Sequence, residues 1–406
     1  MNSLSLMRRL RGPALFVLAL LVIEWLDEFV FGMREAAWPL IRDDLNLTYV
    51  QIGILLGVPS IIASFIEPVM GIYADTGKRR ALVLGGGVVF ALSCVLTALS
   101  GSFIPLLLSF IVFYPASGAF VSLAQATLMD IDPTRHEQNM ARWTFAGSVG
   151  IVTGALALGL AASVGLGWRE LFVLDAAIAV VLWAIVRRMR FPAHITESED
   201  GEPLSFRQAM RNALQALKRR EVIRWFVLLE FSDLMLDVLH GYLALYFVDI
   251  VRVDELQAGL AVAAWTGVGL IGDFLLIPLL ERVRGLDYLR YSALAELLLF
   301  PLFLLVPGFV PKLVVVALLG FCNAGWYAVL QGQVYSAMPG QSGAVLALGN
   351  LFGLVKPLIP VVIGFIATQF DLQAALWLLL IAPVALLVGI PRRTPAAQPA
   401  VNEAQE

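Results

Sequence analysis

Twelve apolar stretches, each about as long as a bilayer crossing, divide this chain and leave little sequence between them. They lie near 14–33, 50–72, 81–99, 103–129, 141–164, 170–187, 224–248, 258–280, 289–307, 312–335, 343–367 and 373–390. A membrane span needs roughly 20 apolar residues. A backbone amide left unpaired in lipid is costly, so each stretch is expected to be a helix. Composition agrees: 59% of residues are hydrophobic and 15% charged, where soluble domains carry about 25% charged residues. That shortfall excludes an ordinary soluble enzyme, a disordered chain and a nucleic-acid binder. The first stretch follows Arg8, Arg9 and Arg11 but carries acids and lacks a small-residue cleavage site, so it reads as a retained span rather than a signal peptide. Pro59, Pro68, Pro115, Pro301, Pro357, Pro360 and Pro383 fall inside the stretches and mark kinks or packed breaks. Cys94 and Cys322 both lie in apolar segments, so neither a disulfide framework nor a metal site is expected.

Orientation follows from the basic residues. With a cytoplasmic N-terminus, the inside segments hold 22 Lys and Arg, and the outside loops hold five: Arg34, Arg42, Arg169, Arg252 and Lys312. By the positive-inside bias both termini are cytoplasmic. The one long connection, 188–223, separates an N-terminal six-helix bundle (1–187) from a C-terminal six-helix bundle with a short tail (224–406). Its stretch 197–203 is an acidic linker. Ser205 then caps an expected amphipathic helix with Phe206, Met210, Ala213, Leu214 and Leu217 on one face, suited to the cytoplasmic leaflet.

The halves echo one another. At an offset of 206 residues, Gln51-x-Gly53 matches Gln257-x-Gly259, Glu67 matches Asp273, Asp75 matches Glu281 and Gln125 matches Gln331. Leu26-Asp27 recurs as Leu236-Asp237 at an offset of 210. Two homologous halves place a binding site near midplane at their interface, with rocking of the halves giving alternating access. The expected fold is therefore all-α, with twelve transmembrane helices in two pseudo-symmetric bundles.

Between the second and third stretches runs Gly71-Ile-Tyr-Ala-Asp75-Thr-Gly77-Lys78-Arg79-Arg80. It resembles the motif A loop of the major facilitator superfamily, and Glu281-Arg282-Val-Arg284-Gly285 is similar to its second-half remnant. The resemblance covers nearly the whole chain. It implies that Gly71, Asp75, Gly77, Lys78, Arg79, Arg80, Glu281 and Arg282 belong to a gate that engages the opposite half and holds the outward-open state. For the three basic residues of the loop, simple positive-inside anchoring is the competing reading. The chain also departs from the family's exporters: Phe113-Tyr114-Pro115-Ala-Ser-Gly118 has no motif B arginine. Gly147-Ser-Val-Gly150-Ile-Val-Thr-Gly154 keeps glycine spacing without the antiporter proline, and close helix packing is an alternative role for those glycines.

An ionisable group inside a membrane helix is a functional-site hypothesis by default. Glu24, Asp27 and Glu28 share one face of the first span, and Glu230, Asp233 and Asp237 share one face of the seventh. At 1.5 Å per residue, Asp27 and Asp237 both lie about 20 Å into the bilayer, and Lys356 enters the eleventh span to a similar depth. Carboxylates this close in a low dielectric cannot all be ionised, so at least one is expected to hold a proton near neutral pH. Asp27 and Asp237 are the leading proton-coupling candidates, followed by Glu24, Glu28, Asp233 and Glu230. Lys356 is their partner or an anion contact, a permanent structural ion pair being the alternative. Gln125, Gln331, Asn323, Trp326 and Tyr327 complete the candidate substrate-binding set, with Asn350, Trp25, Trp143 and Trp265 as further cavity candidates. Glu67 and Asp273 suggest a shared gate between the halves or hydrogen bonds to neighbouring helices. Asp175 reads as solvated near the outer interface, and Glu296 falls in a span that is peripheral in this superfamily. His240 is either a proton relay or a packing residue.

The reading favoured by these features is a proton-coupled secondary transporter of a small organic molecule, with efflux of a cationic or lipophilic compound by proton antiport. Proton symport of an organic anion held by Lys356 is the alternative, followed by a lipid flippase or a transporter-like receptor. An enzyme is disfavoured, because His136, His194 and His240 have no partners at metal or triad spacing, and ATP drive is not expected, because no nucleotide-binding loop occurs. No cofactor or metal is expected. The partners are the substrate, protons and the bilayer; nucleic acid is not among them. The chain is expected to act as a monomer in a bacterial inner membrane.

Overall fold

Helix ends in this chain are set by side-chain caps and by a few residues held in left-handed backbone. In the computed structural model, which describes residues 3–189, 191, 205–355 and 358–391, Asn46 at φ 51° follows the end of α1 (Ser3–Leu45). Two residues later Thr48 starts α2 (Tyr49–Tyr73), its hydroxyl accepting from Gln51 N while Gln51 Oε1 accepts from Thr48 N. One half of that device opens α8 (Glu255–Leu279), where Asp254 Oδ1 accepts from Gln257 N at 2.7 Å. The repeated Gln-x-Gly is thus a repeated helix start.

The remaining columns are α3 (Arg79–Ala98), α4 (Phe103–Ile131), α5 (His136–Ser163), α6 (Trp168–Val186), α7 (Arg220–Val251), α9 (Gly285–Leu305), α10 (Phe309–Ala337), α11 (Ser342–Phe352 and Leu358–Gln369) and α12 (Leu372–Gly389). Columns α1–α6 form one bundle and α7–α12 the other, each built round aromatic rings: Phe90 with Phe113 and Phe120 in the first, Tyr246 and Phe247 with Phe303 in the second. Between them Ser205 caps a linker helix (Phe206–Ala216) that buries Ala209, Ala213 and Ala216 and leaves Phe206 and Leu214 exposed. The acidic stretch 197–203 lies outside the described residues.

Three departures from regular helix set where polar side chains point. In α4 a wide turn at Gly118–Ser122 follows Pro115, whose ring removes a ladder donor. In α7 a wide turn at Leu234–Val238 changes the facing of every later side chain. And α10 is interrupted at Gly325 (φ 80°), between Phe309–Asn323 and Trp326–Ala337.

Several charges sit elsewhere than their sequence positions suggest. Because α1 runs on to Leu45, Arg34 is a buried helix residue rather than part of an outer loop. Lys312, also expected in a loop, is buried and donates to Phe303 O (2.5 Å), Leu304 O (3.2 Å) and Tyr246 Oη (2.7 Å), which satisfies the last carbonyls of α9. Asp175, expected to be solvated, is fully buried, as is Glu296; neither carboxyl has a hydrogen-bond partner among the described residues.

Candidate functional site

The two bundles meet at one end through polar contacts, and the residues of the 71–80 segment form the centre of that closure. Thr76 and Gly77 (φ 80°) turn the chain between α2 and α3, which aims Asp75 at the start of α11. There Asp75 Oδ1 accepts from Gly343 N and Oδ2 from Ala344 N, each at 2.9 Å. A carboxylate on the free amides of a helix N-terminus is favoured by both hydrogen bonding and the helix dipole. Arg79, itself buried, donates to Asp75 Oδ1 (2.7 Å) and to Ser342 Oγ (2.7 Å) and pairs with Asp130. The approach is close because a glycine stands on each side: a methyl at Gly71 would lie 2.5 Å from Gly343 O. Of the other basic residues in the loop, Lys78 is exposed and Arg80 donates to Arg187 O within its own half.

The second-half remnant takes a different part. Glu281, the repeat mate of Asp75, and Arg282 are exposed and line a surface groove of about 320 Å³. The closure beside them runs through α5 instead. Glu137 accepts from Gly285 N (3.1 Å) and Gln333 Nε2 (2.5 Å), Gln138 donates to Leu280 O (2.9 Å), and His136 Nδ1 meets Ser336 Oγ at 2.8 Å.

Deeper in the bundle three further hydrogen bonds join the halves: Tyr335 Oη to Gln125 Oε1 (3.0 Å), Asn350 Nδ2 to Glu67 Oε2 (2.9 Å) and Ser148 Oγ to Asp273 Oδ2 (3.0 Å). Glu67 on α2 and Asp273 on α8 are repeat mates, and each accepts from the opposite bundle.

Beyond this layer lies a cavity of about 610 Å³ walled by α1, α2, α4, α5, α7, α10 and α11. Glu24, Asp27, Glu28 and Glu230 line it, with Gln125, Gln331, Tyr327, Asn350 and Trp143. Room for the acids of α1 comes from α5, whose Gly147 faces Glu24 and Glu28 and whose Gly150 and Gly154 lie against the α1 backbone. A methyl at Gly147 would lie 2.9 Å from Glu24 Oε1.

Other predicted site residues fall outside this wall. Asp237, read from the sequence as the counterpart of Asp27, is exposed and does not line the cavity, because the wide turn at Leu234–Val238 breaks the helical phase that would have aligned it with Glu230. Asp233 is buried within α7. Trp326 is buried in the second bundle with Nε1 donating to Ser292 Oγ, and Asn323 is buried where α10 breaks. Lys356 lies outside the described residues.

A smaller chamber of about 180 Å³ opens on the far side of Asp27, inside the first bundle. Asp27, Phe31, Arg34, Glu67, Phe113, Tyr114 and Ser117 line it. Ser117 Oγ donates to Asp27 Oδ1 at 2.8 Å, and Arg34 donates to Tyr114 Oη at 3.2 Å with its guanidinium over the Phe31, Phe110 and Tyr114 rings. Arg34 is the functional candidate that sequence reasoning missed. Its signal was present: an arginine three turns or less from three acids on a continuous apolar helix.

A membrane bundle of two six-helix halves, with a cavity at their seam and a hydrogen-bonded closure at one end, defines a transporter. The chain belongs to the Major Facilitator Superfamily, whose family model matches residues 20–355. It is 24% identical over 353 residues to the fosmidomycin resistance protein of Escherichia coli (strain K12), covering 86% of this chain and 85% of that protein. It is 29% identical over 157 residues to the inner membrane transport protein YajR of the same organism, covering 37% and 33%. Among solved structures, FucP in the outward conformation superposes with a TM-score of 0.73 at 17% identity, covering 92% of this chain and 97% of that one. The human organic anion transporter MFSD10 (TETRAN) does so at 0.72 and 20%, covering 93% and 99%. The protein is an integral membrane transporter of the major facilitator fold, and not an enzyme.

Proposed function

We propose that this transporter exports a small cationic or lipophilic compound in exchange for protons. The observation that carries the reading is the acid set of the cavity: Glu24, Asp27, Glu28 and Glu230 line one space at the seam of the halves. Carboxyls there offer the same groups to a cation and to protons, and competition for one site is the minimal device for antiport. A relative named for resistance to fosmidomycin supports export as the direction. The end closed by Asp75 and Arg79 carries the basic connections, so the positive-inside bias assigns it to the cytoplasm of a bacterial inner membrane. The cavity then opens away from the cytoplasm, and the halves rock about the layer of Gln125, Glu67 and Asp273.

Proteoliposomes containing the protein and an internal pH dye, given ethidium or tetraphenylphosphonium as probe cations, test the reading. The expected result is proton movement opposite to the probe, falling at least tenfold in Asp27→Asn. Probe and proton moving in the same direction would exclude antiport.

A further inference from the structure

Acids and cavities alternate through the first bundle. The large cavity and the 180 Å³ chamber share Asp27. The chamber and a crevice of about 30 Å³ share Glu67; Ser122 and Asn350 are the crevice's other polar side chains, and Met70, Leu123 and Leu346 its apolar ones. A space of this size holds a water when polar groups surround it; the chamber has room for several. Glu67 also carries a hydrogen bond across the seam, from Asn350 Nδ2 on α11. Its carboxyl fits there because position 118 is glycine, where a methyl would lie 2.8 Å from Glu67 Oε1.

We infer that Glu67 is a proton-operated latch: it receives protons from Asp27 through the chamber that both line, and its protonation loosens the bond to Asn350 that holds the halves together. The transfer is a proton shift alone. Asp27 gives its carboxyl proton to a chamber water, that water gives one of its own to Glu67, and Asp27 is left as a carboxylate in the chamber that also holds Arg34. A hydrogen bond to a carboxylate is roughly twice as strong as one to a neutral acceptor, so neutralising Glu67 weakens the seam without breaking its geometry.

The charged and titratable groups facing Glu67 are limited. From α1 they are Asp27 and Arg34, the latter paired with Glu35, and from α4 Tyr114; Glu24, Glu28 and Glu230 stand on the side of the large cavity. The described residues of α11 contribute none. The inference rests on the antiport reading only for the origin of the proton.

The test is a distance measurement that needs no cargo. Spin labels at Thr134→Cys and Arg284→Cys, in a Cys94→Ala, Cys322→Ala background and in nanodiscs, report the separation of the halves at the closed end. Between about pH 8 and about pH 5, the unaltered latch is expected to shift population from the short to the long distance. Glu67→Gln, which keeps an acceptor for Asn350 but cannot ionise, is expected to lose the pH-dependent component, and Asp27→Asn to move its midpoint. Gly118→Ala, which retains the carboxyl but crowds it, is expected to move the midpoint as well and serves if Glu67→Gln does not fold. A Glu67→Gln protein that titrates like its parent, or a parent with no pH response, would overturn the latch. Transport failure with an intact pH response would count against the export reading alone.

Discussion

At the scale of single residues, burial separates the closure from its decoration. Arg79 and Lys78 are neighbours in one basic run, yet Arg79 is 4% exposed and pairs with Asp75 and Asp130, while Lys78 is exposed. Removing one partner of a buried, hydrogen-bonded charge pair costs about 3–5 kcal/mol, whereas a surface change stays within about 0.5 kcal/mol. Arg79→Gln is therefore expected to raise alkylation of a cysteine placed at Ser122, which lies behind the closure, by tenfold or more from the closed end; Lys78→Gln should leave it unchanged. The sequence showed the motif but could not rank its three cations, because ranking depends on which side chain meets Ser342, 263 residues beyond Arg79.

Among the helices, the α1–α5 contact is tight enough for a single methyl to disturb it. Gly150 lies against the α1 backbone with Trp25 O 2.5 Å from where a Cβ would stand, and Trp25 Nε1 donates to Thr153 Oγ1 one turn on. Gly150→Ala is expected to destabilise the protein by about 1–3 kcal/mol through overpacking, read as a lower melting temperature in detergent. It should also disturb the cavity acids, since Glu28 Cβ is 2.9 Å from the same point. Glycine spacing was legible in the sequence; its partner was not.

Hydropathy likewise located the spans, and helical periodicity the acids of α1, whose helix is regular from residue 24 to 28. It misplaced Asp237, because a wide turn carries no strong residue preference and yet shifts the phase of everything after it. Arg34 was assigned to a loop since a basic residue normally ends a span. Here Glu35 Oε1, Tyr114 Oη and three aromatic rings take up the guanidinium, so α1 continues.

For the whole molecule, the repeat is followed closely at helix starts and at the paired seam acids Glu67 and Asp273, and abandoned at the gate, where Asp75 is buried and Glu281 exposed. One bundle thus supplies the hold on the other, and the chamber beside Asp27 lies in that same bundle. The crossing of Gly71 and Gly343 carries a thermodynamic consequence. Backbone meets backbone there, and the Asp75 carboxylate and peptide groups lie against it. Exposing apolar surface raises heat capacity, and exposing polar surface lowers it. Parting this seam uncovers both, so the two contributions oppose each other. The equilibrium between closed and open ends should therefore show a nearly straight van 't Hoff plot, and a label-distance series taken between about 5 °C and about 40 °C would reveal strong curvature if hydrocarbon contact, rather than this polar crossing, held the halves together.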